Sequence, residues 1–327
     1  MSHDLLRAEL RGELIEPADP EYDAIRGVWN AMIDRRPALI ARCRNAADVA
    51  AAVRCAKATD LAIAIRSGGH DVAGFAGFAV CDGGMMIDLS LMNGVRISPA
   101  LDRVTVEGGA TWLDVDAATA PFGRATPGGL ISATGVAGLT LSGGIGWLRG
   151  THGLSCDNLL AADVVTADGQ LIRASAEENP DLLWALRGGG GNFGVVVSFE
   201  FLLHLIAPEM MFCAPAYPEE MAKDILPMWR DFMAGAPDEV SGLAEFSTLP
   251  SDPALPEPIW GRRVLALATV YDGPADEGDR ITMPLRRLAE PLIDFSGTKP
   301  YRALQTAYDA LFPKTRCRFT WMARLLP

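Results

Sequence analysis

Residues 65–74 read "IRSGGHDVAG": the end of an apolar, strand-like run, then two glycines and a histidine. Glycine lets a backbone approach a ligand with no Cβ in the way, and successive peptide N–H groups in such a turn form an anion-binding nest. The stretch asks what needs an imidazole where the chain has been stripped of side chains. Its surroundings narrow the answer. Glycines cluster at 68–77, 128–146 and 188–194, each beside an expected strand end. Turn glycines would account for any one cluster, whereas three in one half of the chain point to a large phosphate-bearing cofactor.

Around these clusters the chain reads as a mixture of strands and helices. Residues 46–58, "AADVAAAVRCAKA", carry Val49, Ala52, Val53 and Ala56 at helical spacing behind Asn45 as an N-cap. "LAIAIR" (61–66) reads as a buried strand and "MMIDLS" (85–90) as another short strand. "GVRISPALDRVTVEGGATW" predicts two strands joined by a turn at Ser98 to Asp102, then a helix capped by Thr111. "LLAADVVTADGQLIRAS" predicts a hairpin around Asp168-Gly169. "NPDLLWALRGGGGNFGVVVSFEF" predicts a helix, a glycine loop and the strand 195–201, with Trp184, like Trp147, a core aromatic. No regular βαβ rhythm runs through the first 205 residues, so the expected fold class is α+β. Beyond Leu205 the glycine clusters stop and prolines accumulate, marking a second domain. There "RRVLALATVYDG" (262–273) reads as a strand, and stretches near 278–290 and 299–312 as helices.

Bulk properties exclude several classes. A chain of 327 residues with 49% hydrophobic content is long enough for two domains and a large core. Its net charge of −12 argues against nucleic acid and against an anionic membrane surface. No apolar run approaches the roughly 18 residues of a spanning helix. The N-terminus is polar and mixed in charge, and the six cysteines lie far apart with no C-x-x-C pair. A metal site is not expected, and the cysteines read as reduced, buried thiols of a cytoplasmic protein. Gly189, Gly191 and Gly194 satisfy G-x-G-x-x-G, but with a helix before and a strand after, the reverse of a dinucleotide fingerprint.

Taken in order, "RSGGHDVAG", "TPGGLISATGVAGLTLSGGIGWL", "HGLSCDN" and "RGGGGNFGVVVSFEF" resemble the p-cresol methylhydroxylase type of FAD-binding domain, shared with vanillyl-alcohol oxidase. The closer resemblance is to the bacterial branch of berberine bridge enzyme-like oxidases. It is strong over residues 35–205 and looser to about Pro313. It implies a helical extension over 1–34, a two-subdomain FAD-binding domain over 35–205, and a substrate domain with an antiparallel sheet, present in part, over 206–327. It further implies that Arg66, Ser67, Gly68 and Gly69 cradle phosphate and that His70 is bonded to the flavin 8α-methyl. A neutral imidazole nitrogen is a competent nucleophile for such a bond. The same motifs place Gly74, Gly128, Gly129, Ser132, Thr134, Gly135, Gly138, Gly143, Gly144 and Gly146 along the cofactor. Thr134 falls where relatives screen the flavin from oxygen, while Thr140 reads as packing. Asn192 and Val196 resemble residues near the ribose and adenine. Asp157 and Asn158 either bond the cofactor or cap their own turn. His152 and His204 read as structural. Many relatives carry a second tether, a cysteine on flavin C6; Ile131 stands at that position here, so one covalent bond is expected.

The implied activity is oxidation of a small organic substrate such as a sugar, an alcohol or a secondary metabolite, by hydride transfer to covalently held FAD. Oxygen or another acceptor would take the electrons. Such relatives run well over a hundred residues longer, and the tail "KTRCRFTWMARLLP" (314–327) is basic in an acidic chain. It reads as a truncation or frame slip, or else as a genuine basic strand. The segment that supplies the substrate-deprotonating base in relatives has no counterpart, so no catalytic residue is assigned. The rival readings are a catalytically impaired flavin-binding protein and, from another class, a carbohydrate- or lipid-binding module without cofactor.

Overall fold

The computed structural model describes residues 3–72 and 79–312, so Gly74, Cys317 and the basic tail lie outside the described residues. Two compact units emerge. The first holds the described residues up to Ile145, Leu154–His204 and those from Gln305 to Phe312; the second holds Gly146–Gly153 and Leu205–Leu304.

In the first unit, helix α1 (His3–Glu9), strand β1 (Glu13–Ile15) and the short helix α2 (Tyr22–Arg26) precede β2 (Leu39–Arg42). Helix α3 (Ala46–Ala58) starts where the sequence places it, because the Asn45 side chain accepts from the Asp48 amide at 3.0 Å. Its Val49, Ala52, Val53 and Ala56 are all buried, and they join Met85 and Ile87 in one core cluster. Strands β3 (Ile63–Arg66) and β4 (Met85–Asp88) complete a four-stranded sheet in the order β1-β2-β4-β3. Both β2 and β3 run parallel to β4. The stretch β2–α3–β3 is therefore a parallel crossover within the α+β fold, a unit too short to register as a rhythm in the sequence. The N-terminal extension also differs from the helical expectation: β1 pairs antiparallel with β2, Leu14 opposite Ala41.

The second sheet of this unit is antiparallel throughout. It uses β5 (Val95–Ile97), β6 (Arg103–Glu107), β8 (Leu159–Val165), β9 (Leu171–Ser175) and β10 (Val195–Leu202), in the order β5-β6-β10-β8-β9, with the two-residue β7 (Arg124–Ala125) outside it. The β8–β9 hairpin turns at Asp168-Gly169, where Gly169 has φ of +74° and donates to the Thr166 carbonyl at 2.8 Å. Helix α4 (Trp112–Thr119) begins with a reciprocal box between Thr111 and Asp114. Trp112 packs with Phe201, Val106 and Leu183 in the core beneath this sheet. Trp184 does not: on the helix Pro180–Leu186, Leu183 and Leu186 take the buried face and Trp184 stands 79% exposed. Its apolar neighbours made it read as core, but three-residue spacing leaves the intervening position outside.

The second unit is built on an antiparallel sheet centred on the strand Arg263–Tyr271. One edge of that strand pairs with Val240–Thr248 over nine residues. The other pairs with Pro215–Pro218 and Met210–Cys213. The helices Ala222–Gly235 and Ala275–Thr282 belong to this unit, where the sequence had suggested helix from 278 to 290. Trp147 is fully buried here, and His152 lies 3.2 Å from Asp272.

Candidate cofactor site

The site begins at the carboxyl ends of three parallel strands, where open α/β sheets bind ligands. Register brings the last residues into one row, Arg42 and Arg66 on either side of Asp88. Asp88 is wholly buried and takes a two-point contact from Arg66, Nη2 to Oδ2 at 2.6 Å and Nε to Oδ1 at 3.1 Å. Arg42 Nε reaches it at 3.4 Å, and Ser90 donates through both its amide and its hydroxyl at 3.0 Å. Burial alone would raise the Asp88 carboxyl; the Arg66 charge and these hydrogen bonds outweigh it and hold the group below the usual carboxylate range. Arg66 also donates to the carbonyls of Ile25 and Gly27. Its guanidinium thus braces the loop rather than standing free for phosphate.

The loop that follows is clasped by the chain near residue 30. Trp29 donates its backbone N–H to Gly69 O at 2.8 Å, and the Asn30 side chain donates to Val72 O at 2.8 Å. Gly69 has φ of +66°, a conformation that favours glycine. Between these two bonds the His70 imidazole stacks on the Trp29 indole, centroids 4.3 Å apart and planes within 20°.

The second glycine cluster meets the first backbone to backbone. A Cβ on Gly68 would lie 2.4 Å from the Gly135 nitrogen, and one on Gly135 would lie 2.3 Å from the Gly68 nitrogen. Only two glycines allow this approach. The loop before Gly135 serves α4: the Ser132 and Thr134 carbonyls accept from Leu113 and Trp112, the first amides of the helix. Ser132 itself is held by Asp309, which takes its amide at 2.9 Å and its hydroxyl at 2.5 Å. The third cluster joins through Gly190 N–H to Leu141 O at 2.8 Å.

A cleft of about 450 Å³ opens here, a volume in the range of small-molecule sites. Of the residues named from sequence, Arg66, Ser67, Gly68 and His70 line it. Trp29, Arg42, Ser90, Asn93, Thr111 and Asp114 line it too and were not among them; only Thr111 carried a local signal, as a helix cap. The remaining sequence candidates support the loops or lie elsewhere. Gly128 and Gly129 pack on Trp112 and Leu139, and Gly138 faces open space. Gly143 and Gly144 accept through their carbonyls from Cys156 and Ser155. Asp157 caps its own turn by accepting from Leu154 N–H at 2.8 Å, and Asn158 holds Leu154 O and lies 2.6 Å from His204 Nε2. Asn192 is exposed, Val196 is buried in β10, Thr134 is half-buried and Gly146 belongs to the second unit. Ile131 is buried, and among the described residues no cysteine lines the cleft.

These residues fit a phosphate-bearing flavin. The Gly68–Gly135 approach leaves a surface that a Cβ would fill, and the Ser67 hydroxyl is buried there with no hydrogen-bond partner among the described residues. A buried hydroxyl in that condition is costly unless a ligand completes it. The comparisons agree. Residues 37–175 match the FAD binding domain family. (R)-6-hydroxynicotine oxidase of Paenarthrobacter nicotinovorans is 43% identical over 202 residues, 62% of this chain and 43% of that protein. The crystal structure of 6-hydroxy-D-nicotine oxidase from Arthrobacter nicotinovorans superposes with a TM-score of 0.83 at 33% identity, over 94% of this chain and 66% of that one. A glucooligosaccharide oxidase from Acremonium strictum, described with a 6-S-cysteinyl, 8α-N1-histidyl FAD, gives 0.78 at 27% identity, over 93% and 62% of the two chains. The chain spans less than two thirds of the length of the curated relatives it matches. Cys43, Cys55, Cys81, Cys156 and Cys213 are buried thiols, and no helix among the described residues is long and apolar enough to cross a membrane. By its glycine loops, its cleft and these matches, the chain carries an FAD binding domain over residues 37–175 and is similar to FAD-linked oxidoreductases.

Proposed function

We propose that the chain works as an FAD-dependent oxidoreductase on a small organic substrate, with His70 as the single covalent anchor of the flavin. The carrying observation is the backbone contact of Gly68 with Gly135, beside a cleft that Ser67, Gly68 and His70 line. When bound, FAD supplies the acceptor for a hydride, and the protein supplies binding and orientation. The residues then divide the work. The turn 67–70 would take the pyrophosphate, with the Ser67 hydroxyl completing a hydrogen bond it lacks in the protein alone. Arg66 and Asp88 hold the start of that turn at a fixed position. Trp29 covers one face of the imidazole and keeps water from it. With Ile131 where a cysteinyl tether would stand, a second flavin bond is not expected.

The names of the relatives offer substrate classes: a hydroxylated nicotine on one side, gluco- and xylo-oligosaccharides on the other. Dioxygen or another acceptor would reoxidise the flavin. The test is direct. Purified protein, denatured and precipitated in acid, should give a yellow pellet and a tryptic peptide containing His70 that is heavier by one flavin. His70→Ala should release its flavin on denaturation. Retention of the colour in that variant would show the anchor is elsewhere, and a chain that neither carries nor takes up FAD would overturn the reading as a whole.

A further inference from the structure

We infer that Trp29 is a positioning residue for covalent attachment of FAD to His70, fixing the plane of the imidazole during that step. The inference rests on His70 being the flavin anchor. Trp29 lies outside residues 37–175, the span of the family match, and no sequence motif singled it out. Four contacts tie it to the task. Its ring lies against the imidazole at 4.3 Å and 20°. Its own N–H and the side chain of the next residue, Asn30, bond Gly69 O and Val72 O, one on each side of His70. The indole is held in turn by Nε1–H to Phe312 O at 3.0 Å, and it is 1% exposed.

The chemistry explains why such a clamp would matter. The nucleophile is a lone pair lying in the imidazole plane, and the last side-chain torsion of histidine has a broad, roughly two-fold profile. Stacking on an immobilised indole leaves the nitrogens free to point only within one plane, and orientation of this kind governs large factors in rate. As one imidazole nitrogen bonds the 8α carbon, a C–H bond there breaks and its electron pair stays on FAD, which ends two electrons reduced. The protons from that carbon and from the imidazole N–H are released or taken up by the reduced ring. Dioxygen or another acceptor then removes the electrons. Positive charge builds on the imidazole before its proton leaves, and the face of an indole attracts it.

The experiment uses chain produced in riboflavin-limited cells, mixed with FAD, and followed as acid-stable flavin against time. Trp29→Leu should attach FAD about tenfold more slowly, the order expected from loss of one aromatic stacking contact. Trp29→Phe and Trp29→Tyr, which keep a ring, should stay within about threefold of wild type. Because Trp29 also lines the cleft, some affinity for FAD before attachment should be lost in the leucine variant, but by a smaller factor than the attachment rate. If the leucine variant does not fold, Trp29→Met fills more of the volume with a flexible apolar chain and carries the same comparison. Attachment at the wild-type rate without a ring, or parallel loss of affinity and rate, would overturn the inference by showing a merely structural role. A wild-type digest with no flavin on the His70 peptide would instead overturn the anchor, and the inference with it.

Discussion

Replacing Gly68 with alanine tests the contact on which the cofactor site is built. The added Cβ would sit 2.4 Å from Gly135 N and 2.7 Å from Gly135 Cα, where ordinary contact begins at 3.4 Å. Both atoms are backbone, so no side chain can swing away, and the two loops must part by about 1 Å. Overpacking in a closely packed interior costs about 1–3 kcal/mol, and a clash with backbone belongs at the upper end. For a cooperative unit of ordinary size that corresponds to a fall of roughly 6–12 °C in melting temperature. The parted loops should also hold less flavin. Gly138→Ala is the internal control, because nothing lies within 4 Å of its Cβ and it sits in the helix Val136–Leu141. There alanine should leave stability unchanged or raise it by about 0.5–1 kcal/mol. Thermal melts with flavin-to-protein ratios read both effects. A Gly68→Ala chain that melts with wild type and carries full flavin would refute the close approach of the two loops.

Asp88→Asn should cost about 3 kcal/mol at neutral pH, because it leaves Arg66 buried beside a neutral amide. The folded-state carboxyl of Asp88 lies below its unfolded value of about 3.9, so its stabilisation is present above that pH and is lost as pH falls through the depressed value; the gap between wild type and variant in denaturant titrations should therefore close in strong acid and stay constant from pH 5 to 7. Burial pushes the Cys213 thiol up to about 11, and pushes Cys43 up further. Iodoacetamide at pH 8 should leave both unlabelled in the folded chain and label both once it is unfolded, as read by peptide mass; rapid labelling of either in the folded state would contradict its burial.

Short-range chemistry determined the elements. Asn45 sets the start of α3, Thr111 with Asp114 sets that of α4, and Asp168-Gly169 closes the β8–β9 hairpin, because caps and turns are decided within a few residues. The glycine clusters likewise point to a phosphate-bearing cofactor by their spacing in the chain alone. What the sequence could not carry was which clusters meet and what braces them. Gly68 touches Gly135, Arg66 pairs with Asp88, Ser132 is held by Asp309 and Trp29 stacks on His70, each across a stretch of chain that no local rule spans. Parallel register alone sets Arg66 beside Asp88, and register depends on the burial of whole strands. Trp184 shows the reverse failure: its neighbours are apolar, yet the face that Leu183 and Leu186 turn to the core leaves it in solvent. Composition marks a residue as able to be buried or to bind, while only packing among distant segments determines whether it does.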